Sequence, residues 1–592
     1  MGGQTIEVIG DLQGFSLDLS SVSKQKGIEI VAVKLTRAQP AKPPAFSLKW
    51  SMPSHDAVGQ WRPGASLFKM IPPDWSGMQF ESSMFARGAP VSTLFGSADD
   101  NLITVAVSDA FNALKTGSGV REEDGLLYHE IHFFTESHAP VTEYTAQVRI
   151  DRRPVPYWTA LKDVSDWWAG QPGYTPAEVP APARQPVYST WYNYHQSVDP
   201  AVLLEELKVA KKMGFESIII DDGWQTLDSS RGYAFTGDWL PERIPDMRGF
   251  VEAAHALGVK VLLWYSVPYV GKDARVAARF REKTLRFIEP HAAHVLDPRF
   301  PEVRQYLIGI YTKALREWNL DGFKLDFIDN FAADEDTVFE ASEGRDYASV
   351  NEATDRLMTD ILAELKMIKP DVLIEFRQRY IGPLMRKYGN MFRVGDCPNS
   401  YVLNRVGSTD LRLLSGNTAV HSDMIMWHPG EPVELAAMQI TNILFSVPQV
   451  SVRLREIPRE HFEMVRFYTR YWSENRSILL DGNFEAHAPL ANYPVLVATS
   501  LSKTIVGLYG ENVVRLKKDI ARPAIDVING KNSKQVVLSP VANLGTYRYV
   551  IRNVLGKITD QGETVLRPGP VEFSVPVSGI LSLQRNGRSQ FE

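Results

Sequence analysis

A single cysteine, Cys397, stands among 592 residues, so no intrachain disulfide can form. No apolar run approaches the ~20 residues needed to span a bilayer. The opening segment MGGQTIEVIGDLQGF lacks a basic stretch leading into an apolar one. A cytoplasmic, reducing location is therefore the expectation. There is no excess of basic charge: the formal net charge is −6, which leaves no surface to attract nucleic acid or an anionic membrane. The local run Lys208, Lys211, Lys212 falls on a helical pattern and reads as a solvated helix face. Heptads, low-complexity tracts and fixed-period repeats are missing, as are a Walker-type phosphate loop and a dinucleotide fingerprint. His291 and His294 lie three apart, on an expected helix face, with no third ligand; they read as structural residues rather than a metal site. No metal or other cofactor is expected.

What is present is ordinary for a folded protein: 44% hydrophobic and 23% charged residues. Single cores stop growing near ~250–300 residues, so two to four domains are expected. Residues 1–170 carry short strand-like runs such as 28–35, 102–107 and 127–133, separated by Gly, Pro, Ser and Asp, and predict an N-terminal β-sandwich. Residues 171–184 form a proline-rich linker. From 185 to 478 strands alternate with helices, which predicts a parallel sheet. One unit shows the grammar: Asp199 caps a helix that accepts Pro200 in its first turn, Leu203, Leu207, Ala210 and Met213 form one face, Gly214 ends it, and the apolar strand 217–220 follows. Further helices are expected near 247–257, 301–318 and 351–368. Eight strands, near 187–193, 217–220, 259–265, 323–327, 372–376, 391–395, 418–426 and 443–452, predict a closed (β/α)8 barrel. Residues 479–592 return to short strands and predict a small C-terminal β-sandwich.

In such a barrel, functional groups collect at the C-terminal ends of the strands. Ionisable residues fall there: Asp221-Asp222-Gly223-Trp224, Lys324 and Asp326, Glu375-Phe-Arg-Gln378, Arg393 to Asp396, and His421-Ser-Asp423. Lys324 and Asp326 are two apart and share a face, with Leu325 on the other. A cation beside Asp326 would hold it ionised, as a nucleophilic carboxylate requires. Asp221 and Asp222 can accept hydrogen bonds from sugar hydroxyls, with a nearby aromatic ring covering the apolar face of a pyranose. Glycoside cleavage needs a second carboxyl group as general acid, then base. Asp396 is the candidate, with Glu375 and Asp423 as rivals. Cys397 beside it reads as a small buried filler.

At these residues the chain resembles glycoside hydrolase family 36, which contains α-galactosidases and shares a clan with families 27 and 31. Trp191-Tyr-Asn193, Ile220-Asp-Asp-Gly-Trp224, Gly237-Asp-Trp239, Leu296-Asp-Pro and Lys324-Leu-Asp326 carry the resemblance, over roughly 185–430. It implies a retaining, exo-acting α-glycosidase working through a covalent glycosyl-aspartate. By that resemblance Asp326 is the nucleophile, Asp221 and Asp222 bind hydroxyls of the terminal sugar, Lys324 binds the sugar, and Trp191 and Trp239 line the pocket. Arg393 and Asp396 resemble an Arg plus acid/base Asp of family 27. Trp224, Trp264, Glu375, Arg377 and Asp423 complete the expected substrate-binding set. The chain departs from the pattern in Lys324-Leu-Asp-Phe-Ile328 and in Glu375-Phe-Arg-Gln-Arg-Tyr380, which stands where the family has a Cys- and Gly-rich segment. It lacks the usual second Asp upstream of the acid/base, and these departures leave the sugar open. A raffinose-synthase-like transglycosylase on the same site, a Mg²⁺-dependent barrel lyase or isomerase using Asp221, Asp326 and Glu375, and a non-catalytic sugar-binding relative are the competing readings. The expected partner is an oligosaccharide or glycoside. Family 36 members often form dimers or tetramers, so a homo-oligomer is the expectation by analogy alone.

Overall fold

The computed structural model describes residues 6–377, 382–517 and 521–585. Eight strands form one parallel sheet: β1 (Val187–Ser189), β2 (Ser217–Ile220), β3 (Lys260–Ser266), β4 (Gly322–Asp326), β5 (Leu373–Arg377), β6 (Met391–Arg393), β7 (Ala419–His421) and β8 (Gln449–Val450). Each pairs with its successor from β1 to β7, and β8 pairs with β1. Bridges from His421 to Val447 and from Ile425 to Val450 close the ring. Eight helices alternate with the strands: α1 (Pro200–Lys212), α2 (Met247–Ala256), α3 (Pro301–Trp318), α4 (Val350–Ile368), α5 (Met385–Tyr388), α6 (Tyr401–Leu414), α7 (Val433–Thr441) and α8 (Arg459–Asp481). The fold is thus a (β/α)8 barrel, flanked on the N-terminal side by antiparallel sheets of five and six strands and on the C-terminal side by sheets of seven and three.

The local causes are those the sequence suggests. In α1 the Asp199 carboxylate accepts from the amides of Ala201 and Val202, Pro200 occupies the first turn, and Leu203, Leu207 and Ala210 are buried. Gly214 follows with φ +97°, a conformation that only glycine takes without strain. Ser349 caps α4 through the Glu352 amide.

Alternation along the strands layers the barrel interior. Val187, Ile219, Leu262, Leu373, Met391 and Ala419 form an apolar floor, sealed by Ala183. The proline-rich segment therefore does more than link, because Ala183 is buried and its carbonyl accepts from His421 Nε2 at 2.8 Å. Two residues further along the same strands stand Ser189, Asp221, Trp264, Glu375, Arg393 and His421; Lys324 joins them from β4. Leu325 belongs to the main core between the barrel and its helices, as the two-residue period requires.

Two details differ from expectation. Residues 191–194 are a short helix rather than the end of a strand. His291 and His294 are not on one helix: His291 closes a 3-10 turn and His294 lies in the strand Ala293–Leu296, part of a small three-stranded sheet inserted after β3. Helical spacing cannot be told from strand spacing over so short a run. The helix Tyr157–Ala169 packs against both the N-terminal strand Asn101–Val107 and α6, tying the first sandwich to the barrel. Among the described residues no helix is long and apolar enough to cross a membrane.

Candidate active site

Asp326 ends β4 and is 2% exposed. Its Oδ2 accepts from Trp264 Nε1 at 3.0 Å and from Arg377 Nη2 at 3.1 Å, and its Oδ1 accepts from the Phe327 amide at 2.9 Å. Strand register explains this: Asp326 stands beside Ser266 of β3 and Arg377 of β5. The Arg377 guanidinium also lies over the Phe327 ring, 5.3 Å from its centre. Phe327 takes a left-handed conformation, φ +66°, which sends the chain sharply out of the strand. A rim of rings adjoins the carboxylate: Tyr233 stacks on Trp264 at 5.8 Å and meets Phe327 edge-on at 5.1 Å, while Tyr269 stacks on Phe327 at 4.9 Å.

Lys324 does not pair with Asp326. Its Nζ bonds to Asp221 at 2.5 Å, both groups being nearly buried. Asp221 in turn accepts from the Asp222 amide, and its own amide donates to Thr190 Oγ1 at 3.0 Å. Asp222 accepts from Gln225 Nε2 at 2.6 Å and from Gln196 Nε2 at 3.0 Å. Burial, and the charge of Asp221 beside it, push the Asp222 carboxyl up to about 6 despite those donors. Trp191 stacks on His195 with ring centres 3.9 Å apart, one turn from Thr190.

Arg393, 1% exposed, gathers three acids. It bonds to Asp423, to Asp396 at 2.9 Å, and faces Glu375 at 3.7 Å. Asp396 keeps 41% of its side chain exposed. Partial burial would raise its carboxyl, but Arg393, Arg377 and Lys324 outweigh that and hold it well below the usual range. Arg377 thus feels the charges of both Asp326 and Asp396.

Several expected sugar contacts fall elsewhere. Asp423 is fully buried; Arg393, the Tyr192 hydroxyl at 2.9 Å and the Cys397 amide at 2.7 Å occupy its oxygens, so it anchors the loop after β6. Glu375 is also fully buried and accepts from Gln449, and burial pushes it up against the pull of Arg393 and Lys324. Trp224 is fully buried between Trp239, Tyr265 and Trp318, its indole N–H donating to the Trp264 carbonyl at 2.9 Å, which leaves no face for a sugar. Trp239 borders a groove on the outer wall of the barrel. A residue following an apolar strand can turn either into the mouth or back under the helices, and spacing does not say which. Asp221, Asp326 and Glu375 do not gather as one ligand set, and no three His, Cys, Asp or Glu side chains converge as a metal site among the described residues. Gln378, Arg379 and Tyr380 lie outside the described residues. Burial, then the charge of Asp423, push the Cys397 thiol upward, so it is no thiolate nucleophile.

Sequence reasoning missed Tyr192, Tyr233, Tyr269 and Asp329. Tyr192 lay inside a quoted motif. Tyr233 comes from an irregular loop, and Tyr269 opens the three-residue strand Tyr269–Gly271, too short to carry a pattern that would mark it. Asp329, in the turn Ile328–Asn330, is raised by burial and by the charge of Asp326, so it is a second carboxyl group near that residue.

No protein-family model matches the chain. By structure it resembles the α-galactosidase of Lactobacillus brevis, with TM-score 0.65 and 13% identity, over 98% of this chain and 81% of that one. It resembles a family 36 α-galactosidase of Geobacillus stearothermophilus, solved with raffinose, with TM-score 0.63 and 12% identity, over 98% and 86%. It resembles the α-galactosidase of Thermus thermophilus, solved with p-nitrophenyl α-D-galactopyranoside, with TM-score 0.53 and 15% identity, over 81% and 97%. The fold is that of the family 36 α-galactosidases, at 12–13% identity. In sequence, the chain is 25% identical over 188 residues to a 1,4-alpha-glucan branching enzyme of Nitrosospira multiformis, spanning 29% of this chain and 24% of the length of that curated relative.

Proposed function

We propose that this chain, folded as the family 36 α-galactosidases are, is a retaining exo-acting α-glycosidase, most simply an α-galactosidase-like hydrolase. One observation carries the reading: a nearly buried carboxylate, Asp326, closes β4 at the C-terminal end of the barrel, held by Trp264 and Arg377 among aromatic rings. Barrel enzymes place their reacting groups at this end. The terminal sugar seats its hydroxyls on Asp221, Asp222 and Lys324. An Asp326 oxygen attacks the anomeric carbon while the bond to the glycosidic oxygen breaks, and Asp396 gives its proton to that oxygen. Water then attacks the glycosyl-aspartate, yields its proton to Asp396 and frees Asp326 with net retention.

The free protein holds Asp396 ionised, so its turn as an acid waits on the sugar. A ring reaching Asp326 must displace Arg377, and a leaving group at Asp396 excludes solvent. Both changes raise that carboxyl. The test is a screen of nitrophenyl α-glycosides, with galactose, glucose, N-acetylgalactosamine and L-arabinose as glycones and the first-formed anomer followed by NMR. The α-anomer is expected first for the D-hexose substrates. Release of the β-anomer would overturn retention, and no hydrolysis of any member would overturn the glycosidase reading. Added acceptor sugar separates transfer from hydrolysis by product analysis.

A further inference from the structure

Glu375 takes no part in the reaction as drawn, yet it is a carboxyl group buried completely inside the barrel. Its neighbours decide what it can do. His421, from β7, gives its Nε2 proton to the Ala183 carbonyl at 2.8 Å. Burial lowers this imidazole to about 4, so it is neutral and its Nδ1 carries no proton. That nitrogen needs a donor, and Gln449 Nε2, from β8, stands 3.1 Å away. The amide is thereby fixed, and its second N–H reaches Glu375 Oε2. The other oxygen, Oε1, is buried with no hydrogen-bond partner and lies 3.7 Å from Arg393 Nε, which is also buried without one. His421 Nδ1 stands off at 4.0 Å, so a proton on this carboxyl would find no acceptor within hydrogen-bond distance among the described residues. The array matches an ionised Glu375. Burial opposes that charge; Arg393, Lys324 from β4 and the Gln449 amide support it, and Asp221 from β2 adds a like charge. Arg393 meanwhile gives Nη1 to Asp423 and Nη2 to Asp396 at 2.9 Å.

From these contacts we infer that Glu375, held by Gln449, is a positioning residue for the acid/base step: it shares the charge of Arg393 through Nε and so lets Asp396 take up a proton. The reasoning is electrostatic. Arg393 is 1% exposed, so its charge must be balanced from within. Of its three acids only Asp396 opens to the mouth; Glu375 and Asp423 are fully buried. When the leaving oxygen draws Asp396 into its neutral form, Arg393 loses that counter-charge and keeps the two behind it. A small contraction of the 3.7 Å gap pairs Nε with Oε1 directly and satisfies both atoms. Without the Glu375 charge, Arg393 would hold Asp396 ionised more firmly. The inference rests on reading Asp396 as the acid/base; the contacts that join His421, Gln449, Glu375 and Arg393 do not.

The experiment uses the full chain and two aryl α-glycosides of one sugar, with 2,4-dinitrophenol and phenol as leaving groups. The first departs with little help from an acid; the second needs the proton. The native chain, Asp396→Asn, Glu375→Gln and Gln449→Leu are compared by kcat/KM, with Tm and near-ultraviolet circular dichroism reporting the fold. Glu375→Gln is nearly isosteric, and Gln449→Leu removes the brace from another strand. In Glu375→Gln, kcat/KM for the phenyl substrate should fall about tenfold or more relative to the dinitrophenyl one. Its alkaline limb should move to lower pH, because a carboxyl that loses a neighbouring negative charge ionises more readily. Gln449→Leu should shift both readings in the same direction. A residue that served packing alone would lower both substrates by one factor and leave the limb in place; that result in both variants would overturn the inference. If Asp396→Asn does not favour the dinitrophenyl substrate, or the native chain cleaves neither glycoside, the reading of Asp396 itself fails. If Asp396→Asn does favour it and the other two variants keep the native ratio, only the positioning role fails.

Discussion

Lys324 pairs with Asp221 and leaves Asp326 to Arg377, one strand further round the barrel. The two-residue spacing of Lys324 and Asp326 puts them on one face but in different layers. Each then meets what the neighbouring strands supply at its own depth. Lys324 finds Asp221 in the polar layer above the floor; Asp326, nearer the mouth, finds Trp264 and Arg377. The cation that faces Asp326 comes from Glu375-Phe-Arg377, a segment where the chain departs from the family 36 pattern it resembles. That exchange shapes the tests.

Asp326→Ala should lower turnover of the best aryl glycoside by about 10³-fold or more, since the proposed mechanism builds the glycosyl-enzyme on that carboxylate. Near-ultraviolet circular dichroism should remain native-like. Turnover within a few-fold of the unaltered protein would remove Asp326 from the mechanism.

Trp264→Phe keeps the ring and deletes the donor to Asp326 Oδ2. A hydrogen bond to a charged group contributes about 1.5–3 kcal/mol, so kcat should fall by roughly 10- to 100-fold. The loss should fall on kcat rather than on KM. A change confined to KM would mean that the indole only shapes the pocket.

Arg377→Met removes a cation that depresses Asp396. Without it the neutral acid is favoured, so the carboxyl rises and the alkaline limb of kcat/KM should shift to higher pH. A residue that served packing alone would lower kcat/KM and leave the limb in place. The pH profiles of the two proteins, measured on one substrate, decide between these.

Far from the mouth, Lys69 of the N-terminal domain, Asp410 of α6 and Tyr493 beyond the barrel form one buried cluster. Asp410 bonds to Lys69 at 3.0 Å, to Trp61 Nε1 at 2.9 Å and to the Tyr493 hydroxyl. Lys69→Met strands a buried carboxylate and should cost about 3–5 kcal/mol, seen as a lower Tm. Lys69→Met with Asp410→Asn should recover most of it, because an amide oxygen still accepts from Trp61 and Tyr493. A double variant no more stable than Lys69→Met would show that the charge pair is not what holds the three parts together.

How far the site was legible follows from which signals are local. Strand alternation placed Asp221, Asp326 and Arg393 at the C-terminal end of the barrel, because period-two burial is written in neighbouring residues. It could not assign Asp423, whose oxygens are consumed by Arg393 from another strand, by Tyr192 from the short helix after β1 and by the Cys397 amide. Trp224 shows the same limit: it stands two residues after Asp222, yet turns back beneath the helices to Trp318. Tyr233, from a loop without periodicity, and Tyr269, from a strand of three residues, reach the rim unannounced.

By itself the sequence determined the alternation of strands and helices, the caps that start the helices, and the depth at which each strand turns from apolar to polar. These depend on contacts between residues a few positions apart. Only the tertiary structure decided the partners: which cation faces Asp326, which acids Arg393 takes up, and which rings stay open to a ligand. Those depend on strands distant in sequence meeting at one register, and a buried charge accepts whichever counter-charge that register brings within reach.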